Sequence, residues 1–322
     1  MATKLIIQIP CLNEEHTLPQ ALAALPRQVP GVDVVEWMVV DDGSTDRTVE
    51  VARQHGVDHV VRHTVRHGLA RAFATGLDAA LRLGADVIVN TDADNQYDAR
   101  AIPALVQPIL QGQADMVVGD RGTDTIAHFS WTKKRLQKLG SWVVRQASGI
   151  SVPDATSGFQ AISRDAALKL NVVSDFTYTV ETLIQAGHRN ITTAFVPVPT
   201  GPVTRDSRLM KSTAQYLSRS SMTIVRMYSM CRPMRAFLLL GGALVSVGGV
   251  LGLRFLWYYL QGQGSGKVQS LLLAVILTVV GAQTVLTGLI ADLIGINRKL
   301  MEETLLRVKR LELASDKQTA ER

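Results

Sequence analysis

Residues 87–96 read Val-Ile-Val-Asn-Thr-Asp-Ala-Asp-Asn-Gln, an apolar β-branched run that stops at two carboxylates one residue apart. Such a run predicts a buried strand of a parallel sheet, and open α/β sheets bind ligands beyond the carboxyl ends of their strands. Asp92 and Asp94 are therefore candidates for holding a metal ion and a phosphate. Either residue alone would equally suit a turn or a helix cap, so the interpretation depends on what the neighbouring strands bring to the same edge.

Three other predicted strands also end in polar residues. The strand at 4–10 precedes Asn13 and Glu14, the strand at 34–40 precedes Asp41-Asp42-Gly43-Ser44-Thr45-Asp46, and the strand at 115–119 precedes Asp120 and Arg121. Further strands are predicted at 59–63, 161–163 and 191–198, with helices at 17–25, 47–55, 68–83 and 101–110 between them. Asp46 or Thr45 is expected to cap the second helix. This alternation predicts an α/β fold with a mostly parallel, doubly wound sheet.

Composition separates a soluble part from a membrane part. Long apolar runs occur only after Arg235, and the basic residues behind the net charge of +6 cluster near those runs. That distribution favours an anionic membrane surface as a partner. Aromatic residues make up 5% and no recognition helix or zinc finger is visible, so no nucleic acid partner is expected. The two cysteines, Cys11 and Cys231, imply no disulfide framework.

The absence of two common nucleotide-binding motifs argues against two classes of enzyme. No Gly-x-Gly-x-x-Gly follows the first strand and no Gly-Lys-Ser/Thr loop occurs, which disfavours a dinucleotide oxidoreductase and a P-loop NTPase. The loop after the third strand carries His63 and His67 among Arg62, Arg66 and Arg71. With no carboxylate partner or ligand spacing in view, we interpret the histidines as solvated rather than metal-binding, and the arginines as able to approach a diphosphate.

Four motifs carry a resemblance to a known family. They are Pro10-Cys11-Leu12-Asn13-Glu14-Glu15, Asp41-Asp42-Gly43-Ser44-Thr45-Asp46, Asp92-Ala93-Asp94-Asn95-Gln96 and Gly119-Asp120-Arg121. In this order they resemble the motifs of the family 2 glycosyltransferases, which have the nucleotide-sugar-binding GT-A fold. The likeness is greatest to the branch of dolichyl-phosphate mannose synthase and the bacterial polyprenyl-phosphate glycosyltransferases. One departure is Cys11-Leu12, where relatives often have an aromatic residue before Asn.

The resemblance implies a set of site residues. Nucleotide-sugar binding would involve Pro10, Asn13, Glu14, Asp42, Asp92, Arg121, Asp154, Arg205 and Arg208. Asp92, Asp94 and Arg121 would be catalytic, and Asp92, Asp94 and Gln96 would hold Mg²⁺ or Mn²⁺. Asp154 would hydrogen-bond the sugar, with Glu181 a weaker candidate for the same pocket. Paired oxygen ligands independently suit these two ions.

A basic helix is predicted from His128 to about Ala147. Lys133, Lys134 and Arg135 would meet the phosphate of an acceptor lipid at the bilayer surface; the alternative is a solvated charged face. The loop that contains Arg205 and Arg208 resembles a family segment that closes over the diphosphate, although it lacks the family's glycine.

The last third predicts a membrane hairpin. Residues 212–235 form an amphipathic interfacial helix and linker, or alternatively a helix docked on the catalytic domain, which spans residues 1–211. Residues 236–296 contain two apolar segments, each long enough to cross a hydrocarbon core of about 30 Å, with Gly248 and Gly252 as a face for close helix packing. Basic residues flank both outer ends, so positive-inside logic places the termini in the cytoplasm. The tail, 297–322, is either a homo-oligomerisation helix or a solvated one.

The expected function is that of a membrane-anchored inverting glycosyltransferase. It would transfer one sugar from a nucleotide-sugar donor to polyprenyl (undecaprenyl or dolichyl) phosphate at the cytoplasmic face of the inner membrane. One alternative is a processive polysaccharide synthase, but the Gln-x-x-Arg-Trp motif and the additional spans of those enzymes are missing. Another is a non-catalytic nucleotide-binding scaffold, which the intact Asp-x-Asp-x-Gln disfavours.

Overall fold

A computed structural model describes residues 2–122, 144–145, 148–173, 178–199, 233–262, 266 and 268–320. The strands are β1 (Lys4–Cys11), β2 (Val34–Asp41), β3 (His59–Arg62), β4 (Val87–Asn90), β5 (Met116–Asp120), β6 (Gln160–Ser163) and β7 (Thr193–Pro197). The helices are α1 (Leu18–Ala24), α2 (Thr48–Gln54), α3 (Leu69–Arg82), α4 (Ile102–Leu110), α5 (Arg164–Lys169), α6 (Thr179–His188), α7 (Pro233–Leu260) and α8 (Val268–Ala320), with a 3₁₀ turn at Ala99–Ala101.

The described strands form one seven-stranded sheet in the order β3-β2-β1-β4-β6-β5-β7. β6 pairs antiparallel with β4 and β5, and the other neighbouring strands pair parallel. The predicted α/β, mostly parallel sheet is confirmed. All four residues of β4 are buried, as are residues 5–11 of β1, because helices cover both faces of a parallel sheet.

Two features of the helices were not predicted. Helix α5 follows β6 directly, and the Ser163 hydroxyl caps it by accepting a hydrogen bond from the Ala166 amide at 3.2 Å. The second span predicted over 268–296 and the helix predicted in the tail from 297 form one continuous helix, since α8 runs from Val268 to Ala320. Gly295 and Asn297 are residue types that often end a helix, but no proline follows them and the helix continues past both.

The chain divides into two compact units, Met1–Ile224 with Leu306–Arg322, and Val225–Leu305. In the first unit, Arg82 of α3 lies 3.3 Å from Asp316 and 3.8 Å from Glu312, and Arg310 lies 3.6 Å from Asp165. The end of α8 therefore contacts α3 and α5 of its own chain. The predicted division into four segments, 1–211, 212–235, 236–296 and 297–322, stays a prediction.

The second unit contains α7 and the larger part of α8. Both helices are long and apolar enough to cross a membrane, over Met234–Leu260 and within Val268–Asp316. The two helices pack closely at their glycines. A Cβ on Gly248 would lie 2.9 Å from the Ala274 carbonyl oxygen, and one on Gly241 would lie 2.7 Å from the Gly281 carbonyl oxygen. The predicted packing at Gly248 is confirmed, whereas Gly252 is more open, with its nearest neighbour 3.9 Å away.

Candidate active site

Three parallel strands end at the same edge of the sheet. In the β1–β2 pair Cys11 is opposite Asp41, and in the β1–β4 pair Gln8 is opposite Asn90. The Thr91 amide extends the second pairing by donating to the Gln8 carbonyl at 3.1 Å. The motifs that follow β1, β2 and β4 therefore start side by side, as parallel pairing requires.

The segments after β1 and β2 interlock. Asn13 has a positive φ of 54°, a conformation that asparagine tolerates better than most residues. Its amide donates to the Ser44 hydroxyl, and its side-chain oxygen accepts from the Thr45 amide, both at 2.9 Å. The Glu14 amide donates to Thr48 Oγ1 at 2.8 Å. Asn13 and the buried Glu14 are thus fixed at the edge where they were predicted to meet a nucleoside.

Asp46 supports the start of α2. One carboxylate oxygen accepts from the Thr48 amide at 3.0 Å and the other from the Glu15 amide at 3.1 Å. Partial burial raises the pKa of Asp46, but these hydrogen bonds outweigh it and leave the pKa below its ordinary value. Asp46 thus binds the first amide of the helix from one position before the N-cap residue, Arg47, whose side chain makes no capping bond.

Asp42 is almost fully buried at 3% exposure. Its carboxylate accepts hydrogen bonds from the His67 and Gly68 amides at 2.8 and 2.7 Å, and it lies 2.9 Å from His63 Nδ1. Asp42 therefore secures the loop between β3 and α3, and its contact with a nucleoside stays a prediction.

The interpretation of His63 as a solvated side chain without a carboxylate partner is wrong. Its side chain is 11% exposed, and its Nε2 lies 3.0 Å from Thr75 Oγ1 on α3 in addition to the contact with Asp42. The error arose because the partner comes from the neighbouring strand β2, 21 residues away. His67 is exposed, as expected.

Asp92 and Asp94 follow β4 and are both half-buried. Asp94 accepts from the Gln96 amide at 3.2 Å. Within the described ranges, no group of three or more His, Cys, Asp or Glu side chains could hold a metal ion. Two carboxylates and one amide nevertheless fit Mg²⁺ or Mn²⁺, because such ions retain water and take further oxygens from substrate phosphates.

Arg121 and Asp154 form a buried bidentate pair. Arg121 Nε and Nη2 donate to the two Asp154 oxygens at 2.7 and 3.0 Å, and Asp154 is fully buried. Burial raises the pKa of Asp154, but the hydrogen bonds and charge of Arg121 outweigh it and hold the pKa below the usual range. Burial likewise lowers the pKa of Arg121, and interactions with Tyr97, Asp154 and Asp92 more than reverse this. The pair was not predicted, and it fixes the segment that begins at Asp154 next to β5.

Carboxylates surround Cys11 at the floor of the site. Cys11 is buried at 3% exposure, and burial raises the pKa of its thiol well above the ordinary value. Glu14, Asp41, Asp46 and Asp92 raise it further, in that order. Carboxylates from all three strand ends therefore lie near the Cys11 thiol, and Arg62 pairs with one of them, Asp41, at 3.1 Å.

Sequence reasoning missed a group of buried residues behind Asp92. Asn90, the last residue of β4, hydrogen-bonds Tyr178 and Gly158, and the Gly158 amide donates to the Tyr97 hydroxyl at 2.9 Å. Burial raises the pKa of Tyr97 to about 12, so the phenol stays protonated at neutral pH. One local signal was available: an asparagine inside a fully apolar strand needs a buried partner.

Several predicted site residues lie outside the described residues. They are Lys133, Lys134, Arg135, Arg205 and Arg208, together with the interfacial helix predicted over 212–230. Pro10 lies in β1 opposite Val40. Glu181 is described and is 1% exposed; it accepts from the Val173 amide at 3.0 Å and from Gln185 Nε2 at 3.1 Å. These contacts place Glu181 in support of α6.

Two known proteins are similar in sequence to about half of this chain. The undecaprenyl-phosphate mannosyltransferase of Micrococcus luteus is 31% identical over 178 residues, which cover 53% of this chain and 71% of that protein. The polyprenol monophosphomannose synthase of Mycolicibacterium smegmatis is 29% identical over 52% of this chain and 64% of its own length.

A solved structure shares the fold. Glucosyl-3-phosphoglycerate synthase from Mycobacterium tuberculosis, in complex with Mn²⁺, uridine diphosphate and phosphoglyceric acid, matches with a TM-score of 0.55 at 22% identity. The match covers 70% of this chain and 78% of that one. The sequence model described as "Glycosyl transferase family 2" matches residues 6–170, just over half of the chain. The protein described here therefore belongs to glycosyltransferase family 2.

Proposed function

We propose that this glycosyltransferase transfers a single sugar, with inversion, from a nucleotide-sugar to a polyprenyl phosphate at the cytoplasmic face of a membrane. The observation that carries the proposal is the position of Asp92 and Asp94 at the carboxyl end of β4, beside the acidic floor around Cys11. The two relatives named above, a polyprenol monophosphomannose synthase and an undecaprenyl-phosphate mannosyltransferase, support the choice of acceptor.

The charge of the floor explains how a donor is held. A nucleoside diphosphate is an anion, and the carboxylates that act on Cys11 would repel it. Asp92, Asp94 and Gln96 would hold Mg²⁺ or Mn²⁺, which neutralises charge on the departing diphosphate. The carboxylates of the floor are thus suited to a metal-bound donor, because they attract the cation.

The remaining residues proposed to bind the nucleotide-sugar would position it for the reaction. Pro10, Asn13 and Glu14 would surround the nucleoside, with Asp42 securing the loop beside it. Arg121 would stabilise charge on the phosphates through its position next to Asp92. Asp154 is fully buried and both of its oxygens accept from Arg121, so its role here is to fix the Arg121 guanidinium and not the predicted contact with the sugar. Arg205 and Arg208 are proposed to close over the diphosphate.

The acceptor needs little activation. The second pKa of a phosphate monoester is near 6, so the acceptor phosphate is largely dianionic at neutral pH. It attacks the anomeric carbon directly, its oxygen forms the new bond as the diphosphate departs, and no side chain has to remove a proton. Lys133, Lys134 and Arg135 would align that phosphate, and this alignment converts the attack into an effectively unimolecular step.

A transfer assay tests the proposal. The purified full-length protein is incubated with radiolabelled UDP-, GDP- or dTDP-sugars, undecaprenyl phosphate and Mn²⁺ or Mg²⁺, and the organic phase is analysed by chromatography. We expect one donor to give a labelled lipid that carries a single sugar and disappears with EDTA. Longer glycan products would instead indicate a processive synthase, and nucleotide binding without labelled lipid would contradict the proposed acceptor.

Substitution of Asp94 is the sharpest variant. Asp94→Asn is expected to lower kcat by at least about 10²-fold at saturating metal, because one anionic ligand at the diphosphate is lost. Asp98→Asn is the matched control, since Asp98 lies four residues further on and pairs with Arg100 at the start of the 3₁₀ turn. If Asp94→Asn had the turnover of the wild-type protein, the proposed role of Asp94 in the site would be wrong.

A further inference from the structure

A buried hydrogen-bond group lies behind Asp92 and has no part in the proposed transfer. Asn90 Nδ2 donates to the Gly158 carbonyl at 2.9 Å and to the Tyr178 hydroxyl at 2.8 Å. The Tyr178 hydroxyl donates to the same carbonyl at 3.2 Å. On its other side, Asn90 Oδ1 accepts from Gln8 Nε2 at 2.9 Å. The group joins β1, β4, α6 and the segment that precedes β6.

Gly158 is confined between this group and Asp92. A Cβ at Gly158 would lie 2.7 Å from the Tyr178 hydroxyl oxygen and 3.4 and 3.5 Å from the two oxygens of Asp92. The first distance is too short for any side chain, while the other two are ordinary contacts. Tyr178 thus limits how far Gly158 can withdraw from Asp92, and Gly158 limits the space open to the Asp92 carboxylate.

Tyr178 itself is held rigidly. It is 1% exposed, and its ring stacks on Phe73 of α3 at 3.9 Å between centroids, with 5° between the planes. Burial raises the pKa of Tyr178 well above its ordinary value, so the hydroxyl remains a donor throughout the neutral range. The hydroxyl is therefore a fixed point against which the Gly158 backbone is placed.

We propose that Tyr178 and Gly158 are positioning residues that set the Asp92 carboxylate for metal and diphosphate binding. The inference rests on the proposed function, because it assigns the residues a role at that same site. Groups that orient a metal ligand from behind commonly change metal affinity by about 10- to 100-fold when they are altered. Neither residue need touch the donor for this effect.

A double-mutant cycle tests the proposal. Gly158→Ala is expected to weaken Mn²⁺ affinity about tenfold, measured by calorimetry or electron paramagnetic resonance with saturating nucleoside diphosphate. Tyr178→Phe should change it only about twofold, because the Gly158 carbonyl keeps its bond from Asn90. The double variant should recover most of the affinity lost in Gly158→Ala, since loss of the hydroxyl removes the 2.7 Å collision.

Stability and turnover are measured in parallel. Gly84→Ala is the control, because Gly84 has a φ of +81° and nothing near its Cβ position; it should lower thermal stability without altering Mn²⁺ affinity. In Gly158→Ala, kcat should fall more than the KM for acceptor rises, and the double variant should restore it. A double variant no better than Gly158→Ala, or a Gly158→Ala protein with wild-type affinity, would overturn the proposal.

The outcomes remain decisive if a variant fails to fold. Should Gly158→Ala unfold while the double variant folds, the collision with Tyr178 is established, and the affinity of the double variant must then lie within about threefold of wild type. Should both unfold, Tyr178→Phe decides alone, in a measurement that resolves a twofold change: a Mn²⁺ affinity equal to that of wild type within that error rejects the role. A wild-type protein without transfer to any lipid contradicts the proposed function, whereas an active wild type with indistinguishable variants contradicts this inference alone.

Discussion

At the scale of single residues, Cys11 is buried among the carboxylates of the site. Its burial and the four surrounding carboxylates both disfavour the thiolate, which is the reactive form. In a Cys231→Ser background at pH 7, we expect a maleimide to label Cys11 at least about tenfold more slowly in the folded protein than in denaturant. Mass spectrometry gives the rates. Equal rates would show that the Cys11 thiol is not buried in the folded protein.

The pair of Arg121 and Asp154 gives a prediction for stability. Removing one partner of a buried pair typically costs about 3–5 kcal/mol, and because the Arg121 side chain is 20% exposed we expect about 3 kcal/mol for Arg121→Gln. The depressed pKa of Asp154 supplies stability that is fully present above its unfolded pKa, about 3.9, and is lost as the pH falls through the lower folded value.

Thermal unfolding between pH 3 and 8 measures this effect. The difference between wild type and Asp154→Asn should stay constant from about pH 5 to pH 8 and shrink only in stronger acid. A difference that shrinks already near neutral pH would mean that another group is responsible. Asp98→Asn, which alters an exposed pair with Arg100, should show much smaller effects.

The residues that sequence could supply are those whose signal is local. Asp92 and Asp94 can be identified from the sequence because an apolar strand ends directly before them. His63 could not be interpreted correctly, because its partner Asp42 reaches it only through the pairing of β2 with β3. Tyr178 likewise meets Asn90 across 88 residues of chain. Local patterns identify strand ends, whereas the contacts made there depend on the register of distant strands.

At the scale of elements, the glycines of α7 and α8 distinguish two helix faces. Gly241 faces the Gly281 backbone, while its neighbour Gly242 has nothing within 4 Å of its Cβ position. Gly241→Ala should therefore destabilise the helix pair by about 1–3 kcal/mol through overpacking, and Gly242→Ala should be nearly neutral. Apparent melting temperatures in one detergent compare the two; equal losses would contradict the packing.

The same helices show what a one-dimensional pattern leaves undetermined. Gly248 and Gly252 share a helix face by their spacing of four residues, yet only Gly248 approaches a carbonyl of α8 closely. The spacing identifies a face but not the height at which the partner crosses it. For the same reason the sequence did not identify Gly241 and Gly281. Their importance depends on the close approach of the two helix backbones at these positions.

At the scale of the whole molecule, the end of α8 belongs to the same compact unit as the sheet. The contacts of Arg82 and Arg310 with acidic partners are half-exposed, and exposed pairs of this kind contribute between zero and about 1 kcal/mol each. The tail was predicted to be an oligomerisation helix or a solvated one. The structure adds a third role, as a helix that contacts α3 and α5, and the homo-oligomer stays a prediction.

Membrane orientation is the last prediction. Two helices are long and apolar enough to span, and basic residues lie before the first and after the second, which predicts that both outer ends face the cytoplasm. In a Cys11→Ser, Cys231→Ser background, a membrane-impermeant maleimide should label Gln261→Cys on intact cells and label Ser315→Cys only after lysis. Gln261 lies just after the first helix and Ser315 near the end of the second. If Ser315→Cys reacted on intact cells and Gln261→Cys did not, the catalytic unit would face away from the cytoplasmic nucleotide-sugars, and the proposed reaction could not take place there.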